Sequence, residues 1–506
     1  MRALLPVASL LAFAAACPPT PAPPAPPTPP PLPTPPPAPP TPDLGIAGTS
    51  AAPASTTVAI VGGGLAGLVT AHELKKAGIA YHVLEATDVI GGRLQTAWYA
   101  DGLHAEYGLQ EVWGDNPLVQ VIKELGVPLD GDVEAPFSSM VLDGKLYAFT
   151  QDTNDEYFAA MMKPEEVKQL KDWMSKAKAL REKALGVGLK NPEVAKLQKL
   201  TFQQWIDSFK MTKRVNDWIR LTIECELAGP ASQFSALVGL TEFGVFLGEG
   251  EPNYKVQGGN TKLIEALGKD AAGHITTSAT VMRVDRKPGG KKVVSYNKAG
   301  KQLTLEAEQV VVAVPFWRVH QIAFDPPLQQ KKWDAIASLQ RGQYTVVHLI
   351  VDKKYHELTD KAGGNPFPVL TDGPLGVIYG AQSEAPPESQ NEVFAFLVHG
   401  GEAYGPWHMQ RREARVKEML AAMDKLWPGF SKLVKNSYVY TYHPGSIALW
   451  PATRSPLDDL NQALRTPEDG LHLAGDYLFS GHSDGAAKSA LAASAAIVKQ
   501  LAAPKK

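Results

Sequence analysis

"VAIVGGGLAGLVTAHELKKAGIAYHVLEA", residues 58–86, predicts a strand, a helix and a second strand in that order. The β-branched, apolar run Val58–Val61 is typical of a buried strand. A helical pattern covers about Leu65–Lys76 and ends at Ala77–Gly78, because glycine suits a left-handed C-cap. Tyr81–Leu84 is the second strand. Strands that alternate with helices predict a parallel sheet in an α/β fold.

Three glycines at the first strand–helix corner have the spacing G-x-G-x-x-G. The first allows a tight turn, the second lets the backbone approach a pyrophosphate, and the third lets the helix pack closely on the strand. Free N–H groups at the helix start then face an anion. An acidic residue 18 positions after the third glycine is placed to contact a ribose hydroxyl. We therefore predict a dinucleotide site formed by Gly62, Gly64, Leu65, Ala66, Gly67, Glu85 and Ala86.

A second glycine pair, Gly91 and Gly92, follows and is completed by Arg93. With the first corner, this G-G-R stretch resembles the flavin-containing amine oxidases, the family of monoamine, polyamine and L-amino-acid oxidases. The resemblance implies FAD in place of NAD, with Gly92 and Arg93 against its pyrophosphate. Arginine suits such a contact because its guanidinium donates bidentately. The alternative for Arg93 is a surface salt bridge. The resemblance also implies a two-lobe α/β fold, a Rossmann-like FAD-binding domain interleaved with a mixed helix and sheet substrate-binding domain.

Further stretches extend the resemblance over residues 56–502 in the family's order. They are Asp101–Gly102 with Glu106–Gln110, Tyr254–Asn260, Ala279–Val281, Val310–Pro315, Leu471–Asp476 and Asp484–Ser489. By resemblance, the backbone of Val281 contacts adenine, while Gly475 and Asp476 lie at the ribityl chain or the phosphates. The backbone of Ala486 and Ala487 would face the flavin ring. Their helix would stabilise negative charge at the N1–O2 edge, and Asp484 would also cap it.

The order of the motifs predicts how the two domains interleave. The FAD-binding domain would comprise residues 56–130, 252–325 and 464–502, and the substrate-binding domain residues 131–251 and 326–463. The first half of the substrate-binding domain has a helical pattern from Pro164 to Met174. Its second half contains apolar runs such as Tyr344–Val351 that are typical of strands.

The N-terminus predicts export. Residues 1–17 combine Arg2 with an apolar run that ends in small residues, as a signal peptide does. The tetrapeptide Ala14–Cys17 resembles a bacterial lipobox, and its small residues also suit cleavage by the ordinary signal peptidase. Residues 18–55 are a Pro-rich linker, with 17 prolines between 18 and 42, and such a run forms either a stiff polyproline II spacer or a disordered tail. A stiff spacer is useful when one end of the chain is anchored, so it favours a lipoprotein that is held at the cell envelope only through a lipid on Cys17. The alternative is a secreted protein.

Composition narrows the class of partner. The formal charge of −2 over 506 residues predicts no nucleic-acid partner. Cys17 and Cys225 are the two cysteines, so the chain is not a disulfide scaffold. Neither cysteine lies near the C-terminal motif, so FAD is expected to be non-covalent. We predict no metal site.

The resemblance also places the substrate pocket. Two aromatic residues commonly flank the amine in front of the flavin, and here Trp450 and His482 fall near those positions; their alternatives are a core aromatic and a surface loop residue. Family members commonly carry a lysine, linked through water to flavin N5, where this chain has Val346. Lys353 is the alternative cation if the strand register differs. Glu111 stands where an aromatic is common, and its carboxylate would bind a substrate cation or face water.

The resulting functional hypothesis is FAD-dependent oxidation of an amine. A hydride would pass from the carbon next to nitrogen to flavin N5, the imine would be hydrolysed, and the flavin would be reoxidised by dioxygen or another electron acceptor. The aliphatic side chain of Val346 favours slow reaction with dioxygen, because no cation stabilises superoxide there. Two alternatives remain: a carotenoid-desaturase-like or protoporphyrinogen-oxidase-like flavoenzyme, and a non-catalytic flavin-binding surface protein.

Overall fold

The computed structural model describes residues 50–133, 137–149, 154–244, 247, 252–360, 364–381, 385–403, 412–442 and 444–502. The predicted signal peptide, Cys17 and nearly all of the Pro-rich linker lie outside the described residues. Among the helices of the described part, none combines the length and apolar character needed to cross a membrane.

Six helices follow one another between Asn154 and Glu242, whereas helices and strands are mixed in the rest of the described chain. The helices are α1 Leu65–Lys76, α2 Leu118–Glu124, α3 Asn154–Met161, α4 Pro164–Gly186, α5 Pro192–Gln198, α6 Phe202–Asp207, α7 Lys213–Leu227, α8 Ala236–Glu242, α9 Thr261–Asp270, α10 Phe316–Val319, α11 Gln330–Ala337, α12 His356–Thr359, α13 Arg412–Leu426, α14 Asp459–Arg465 and α15 Ser483–Ala502. The strands are β1 Ser55–Val61, β2 Tyr81–Leu84, β3 Thr96–Trp98, β4 His104–Glu106, β5 Val112–Trp113, β6 Leu129–Val133, β7 Ser139–Leu142, β8 Lys145–Tyr147, β9 Pro252–Val256, β10 Ile275–Thr276, β11 Thr280–Arg286, β12 Lys292–Lys298, β13 Lys301–Val312, β14 Ala323–Asp325, β15 Gln340–Gly342, β16 Tyr344–Asp352, β17 Val369–Leu370, β18 Val377–Ala381, β19 Asn391–His399, β20 Val434–Thr441, β21 Ile447–Leu449 and β22 Leu471–Leu473.

The first large sheet contains the predicted strand–helix–strand unit. Its order is β10-β2-β1-β13-β12-β11-β14, and β22 pairs with β13. Strand β1 runs parallel to both β2 and β13, and β22 continues the parallel part. The residues Val58–Val61 are buried, as expected for a parallel strand covered on both faces. The α/β fold predicted from this unit is confirmed.

Two glycines explain why α1 begins so close to the end of β1. Gly62 has a φ of +109°, which disfavours residues with a side chain. A Cβ atom on Gly67 would stand 1.9 Å from the carbonyl oxygen of Gly62, so only glycine permits this contact. The first turn of α1 therefore lies directly over the end of the strand.

The second large sheet has the order β20-β16-β19-β18-β17-β7-β8. Its central strand β16 pairs antiparallel with β19 and β20. Alternate residues of β16 serve two cores: Val347 and Leu349 pack with α13, whereas Val346 packs with the core of the helices α3–α8. Strands of this sheet come from both chain segments assigned to the substrate-binding domain, while the boundaries between the domains remain a prediction.

A buried carboxylate ties the β3–β4 hairpin to the start of α9. Glu106 accepts hydrogen bonds from the backbone N–H of Asn260, at 2.9 Å, and from the hydroxyl of Thr96, at 2.9 and 3.0 Å. Burial is the main cause that raises the pKa of Glu106 to about 8. The folded protein thus holds a proton that the unfolded chain releases at lower pH.

Glu106 should make the free energy of unfolding depend on pH. Its pKa is raised in the folded state, so its contribution is fully present below the ordinary value of 4.5 and is lost as the pH rises through about 8. The free energy of unfolding of the wild type should therefore fall relative to that of Glu106→Gln between about pH 5 and about pH 9. The fall should be about 1.4 kcal/mol for each tenfold increase that folding causes in the proton affinity of the carboxylate. Urea unfolding of both proteins at the two pH values measures this difference. A stability difference that is constant with pH would contradict the assignment.

Candidate functional site

A cavity of about 1490 Å³ is lined by residues from both large sheets and from the helices beside them. The structure brings most of the predicted cofactor residues to its wall: Gly62, Gly64, Leu65, Ala66, Glu85, Ala86, Gly92, Arg93, Val281, Gly475, Asp476, Asp484 and Ala486. Gly67 lies behind the wall, where it packs against Gly62. Of the predicted pocket residues, Glu111, Val346 and His482 line the cavity.

The glycine corner leaves space for a ligand beside the backbone. A Cβ atom built on Gly64 meets no protein atom within 4 Å, so this backbone borders the open cavity. The neighbouring Gly63 donates its N–H to Oε2 of Glu85 at 2.6 Å. The other carboxylate oxygen of Glu85 accepts from the backbone N–H and the hydroxyl of Thr87, both at 2.8 Å. These contacts fix Glu85 at the end of β2 and at the cavity wall.

Arg93 and Asp476 form a bidentate ion pair at the cavity. Both N–O distances are 2.9 Å, and Asp476 also accepts from the backbone N–H of Ala448 at 3.0 Å. The guanidinium of Arg93 donates to the carbonyl of Ser446 at 2.5 Å and lies 5.5 Å from the ring centroid of Trp317. If Arg93 contacts a cofactor phosphate as predicted, it would use guanidinium N–H groups that do not take part in these hydrogen bonds.

The C-terminal helix α15 begins at the cavity. It starts at Ser483, so Asp484 lies in the first turn rather than at the predicted cap position. The carboxylate of Asp484 accepts from the hydroxyl of Ser480 and, at 2.8 Å, from Lys488. An acidic group in the first turn interacts favourably with the positive end of the helix dipole. Ala486 lies at the wall as predicted, while Ala487 is fully buried behind it.

A stack of tyrosines lines the cavity and was not predicted. The ring of Tyr107 stacks on Tyr440, with centroids 4.3 Å apart, and faces Tyr442 at 6.2 Å. The hydroxyl of Tyr99 lies 2.9 Å from that of Tyr440 and 2.6 Å from Nδ1 of His348. The period-two pattern of tyrosines at 438, 440 and 442 is the sequence signal that would have indicated one face of a strand.

Two buried polar atoms at this wall lack a hydrogen-bond partner within the described protein. They are the hydroxyl of Tyr442 and Oε1 of Gln110. Buried polar groups are almost always satisfied, so a ligand that brings its own donors and acceptors is expected here. With the open backbone at Gly64 and the start of α15, these residues fit a dinucleotide with an attached polar ring system, which is the shape of FAD.

Val346 lines the cavity between uncharged residues of the two neighbouring strands. Val346 is 4% exposed and pairs with Leu397 on one side and Tyr440 on the other. Ile447 and Tyr379 also line the cavity. The alternative cation Lys353 follows the end of β16 and does not line the cavity.

Several charged residues also line the cavity. Nε2 of His482 lies 3.8 Å from Oε2 of Glu242. Burial, the main cause, raises the pKa of Glu242 to about 7. Burial opposes the charged form of His482, but Glu242, Glu226 and Asp484 nevertheless raise the pKa of that imidazole. Both groups therefore hold protons more firmly than in water.

Trp450 occupies a different place from the one predicted. It is 1% exposed, does not line the cavity, and donates its indole N–H to Oδ1 of Asn461 at 2.8 Å. Its carbonyl accepts from the backbone N–H of Ser235. These contacts hold the indole in the core, which was the alternative interpretation. Gly445, Ser446 and Ile447, which precede Trp450 by three to five residues, line the cavity.

Comparison with known proteins gives consistent matches over most of the chain. The profile of the family described as flavin containing amine oxidoreductase matches residues 65–498. The nicotine dehydrogenase of Pseudomonas putida is 25% identical over 476 residues, which cover 88% of each chain. The L-amino acid dehydrogenase of Synechocystis sp. is 23% identical over 477 residues, covering 87% of this chain and 94% of its own. A putrescine oxidase structure with bound putrescine has a TM-score of 0.75 at 21% identity, covering 88% of this chain and 99% of that chain, and so has the same fold.

Gly64 offers a direct test of the cavity as the cofactor site. Its backbone is extended, with φ −79° and ψ −177°, a conformation that valine also adopts. Gly64→Val should therefore leave the fold intact but place side-chain atoms where the ligand lies, lowering FAD affinity at least about tenfold, or about 1.4 kcal/mol. Titration of the flavin-free proteins with FAD, followed by protein fluorescence, measures the affinity.

The matched control is Gly401→Val, at a glycine that also has open space around it and does not line the cavity. This control should bind FAD like the wild type, and acid should release the flavin from both. Unchanged affinity in Gly64→Val, or flavin that stays on the acid-denatured chain, would contradict a non-covalent site at this corner.

Proposed function

We propose a specific reaction for this chain, which belongs to the family of flavin-containing amine oxidoreductases. Membership makes the chain an FAD-dependent oxidoreductase of the class that oxidises amines. Within that class, we infer that it acts on an amine by hydride transfer from the carbon next to nitrogen and that it passes the electrons to an acceptor other than dioxygen. The single observation that carries the choice of acceptor is the buried valine at position 346.

The protein's own part in this reaction is to hold and orient the reactants. FAD, when bound, supplies the ring nitrogen N5 that accepts the hydride. The backbone at Gly64, the N–H groups at the start of α15 and the side chain of Arg93 are the groups that would hold it. Asp476 fixes the direction of Arg93 through the bidentate pair. The apolar lining residues Val346, Leu397 and Ile447 would limit the water that reaches the reacting carbon.

The carboxylates at the cavity favour a cationic substrate. Glu111, Glu226 and Glu242 all line the wall, and an amine enters such a site as an ammonium ion. Oxidation requires the free base, so a group must take the proton. The Glu242–His482 pair is suited to this step, because Glu242 has a pKa of about 7, close to the pH at which it would work. In this proposal His482 lies beside the substrate, as predicted from the sequence, and Ile447 lies where Trp450 was predicted.

The choice of electron acceptor depends on how reduced flavin reacts with dioxygen. The first electron transfer creates superoxide, and a nearby positive charge stabilises that anion. Val346 offers none, and its strand neighbours Leu397 and Tyr440 are uncharged. Two relatives of similar length are named dehydrogenases, which supports a similar use of another acceptor here.

Stopped-flow measurement of the two half-reactions tests this proposal. With amine and no oxygen, the flavin should be reduced readily, whereas reoxidation in air-saturated buffer should be slow. Val346→Lys should raise the reoxidation rate at least about tenfold, because a positive charge that lowers the activation free energy by about 1.4 kcal/mol speeds the step by that factor. Val346→Met controls for the longer side chain without the charge and should remain slow. Fast reoxidation in the wild type that is unchanged in Val346→Lys would overturn the proposal.

We also propose that the chain is exported and held at the cell envelope by a lipid on Cys17, with the Pro-rich segment as a spacer. The motivation is the small-residue run before Cys17 and the prolines after it. Wild-type protein should fractionate with membranes, because two or more acyl chains anchor stably. Cys17→Ala should move it to the soluble fraction. Equal fractionation of both proteins would leave only a secretion signal.

A further inference from the structure

An arginine on helix α4 lines the cavity within the segment assigned to the substrate-binding domain. Arg181 shares this part of the lining with Thr241 and Gly244. Its Nε donates to the carbonyl oxygen of Thr241 at 3.1 Å and so caps the C-terminal end of α8. A Cβ atom on Gly244 would stand 2.4 Å from Nη2 of Arg181, so the guanidinium lies directly against a residue without a side chain. Together these contacts hold the guanidinium in one place at the wall.

The two terminal nitrogens of Arg181 are available to a ligand. Neither of them makes a hydrogen bond or an ion pair with a residue that the structure describes, and the side chain is partly exposed. Capping of α8 uses only Nε, so the edge formed by Nη1 and Nη2 keeps its parallel N–H groups. This edge matches the two oxygens of a carboxylate, which it binds through paired, charge-assisted hydrogen bonds.

The position of Arg181 separates it from the groups proposed to act on the amine. Leu185 follows four residues later on the same face of α4, lines the cavity and is 62% exposed, so the cavity reaches the surface beside Arg181. Glu242 directly follows Thr241 in the chain, but it forms its close contact with His482 and no ion pair with Arg181. The guanidinium and the Glu242–His482 pair are therefore two separate charged points on the wall, with Arg181 at the opening.

We propose that Arg181 binds a carboxylate at the far end of the amine substrate, so that the preferred substrates are ω-amino carboxylates. This assignment rests on the proposed oxidation of an amine. Such a substrate places its ammonium group at the Glu242–His482 pair and its carboxylate at Arg181, each beside a charge of opposite sign. An α-amino acid has its carboxylate on the reacting carbon, which is too deep in the cavity to meet an arginine at the opening. A diamine brings a second cation to Arg181, and that like charge selects against it.

Anaerobic reduction of the flavin by three amines that share one carbon chain tests the assignment. The wild type should have its lowest apparent Kd for ε-aminohexanoate, a higher one for hexylamine and the highest for hexamethylenediamine. Arg181→Met keeps the length of the side chain but removes the charge and the N–H groups. It should raise the Kd of ε-aminohexanoate at least about tenfold, leave that of hexylamine unchanged and lower that of the diamine. Arg181→Lys keeps the charge without the planar fork and should recover only part of the preference.

Lys176→Met is the matched control, because Lys176 is an exposed cation on the same helix that lies over the ring of Phe209 and does not line the cavity. It should leave all three Kd values unchanged. The melting temperature and the bound flavin per chain check that each variant is folded, since Arg181 also caps α8. An equal change for all three amines in Arg181→Met would show a structural role alone and overturn the assignment, as would an unchanged Kd for ε-aminohexanoate.

Hexanoate separates this proposal from the proposed function, because it carries the carboxylate but no amine to oxidise. It should perturb the visible flavin spectrum of the wild type and bind at least about tenfold more weakly to Arg181→Met. If hexylamine reduces the flavin but the binding of both carboxylates is independent of Arg181, the amine oxidation stands and the carboxylate site is wrong. If no amine reduces the flavin but hexanoate binding depends on Arg181, the oxidation is wrong and the carboxylate site stands.

Discussion

The contact between Gly67 and the carbonyl of Gly62 determines the arrangement of the cofactor side of the molecule. The space between them excludes even a methyl group, because a Cβ atom would lie 1.9 Å from the oxygen. A Cβ atom on Gly62 would in turn lie 2.6 Å from the carbonyl of Ala313, at the end of the neighbouring strand β13. Helix α1, strand β1 and strand β13 are therefore held together without intervening side chains, and the helix start faces the cavity.

The remainder of the site is assembled from distant parts of the chain. Arg93 meets Asp476 across 383 positions, and Tyr107 stacks on Tyr440. The first contact lies on the side of the first sheet, whereas the second connects the residue after β4 to β20 of the second sheet. Because residues of both large sheets line the cavity, its wall is complete only when both are folded. The pairing of Arg93 with Asp476 also means that the arginine proposed to contact the cofactor phosphates is kept oriented by a carboxylate that is itself nearly inaccessible to water. Ordered binding groups of this kind lower the cost of holding a large cofactor.

The sequence predicted those features that depend on local physics. The bounds of α1 and β2 agree with the pattern read from residues 58–86, since helix periodicity and capping are set by near neighbours. The strand pattern of Tyr344–Val351 is likewise local and agrees with β16, whereas the position of Val346 at the cavity came from the family resemblance. Trp450 was misplaced because the direction of its side chain depends on Asn461 and on the pairing of β21 with β15, which spacing does not reveal. The tyrosine stack joins β20 to a loop more than 300 residues earlier, and a single sequence carries no signal for that partnership.

Centrally, the protein is proposed to hold FAD in this cavity and to oxidise an amine there. Anaerobic titration of the purified, flavin-containing protein with amines tests it most directly, with the visible flavin absorbance as the readout. The account predicts that an amine bleaches this absorbance, that the corresponding alcohol does not, and that an added electron acceptor restores the colour. Flavin absorbance that stays unchanged with every amine, or that bleaches only with large lipophilic ring compounds lacking an amine, would contradict the account.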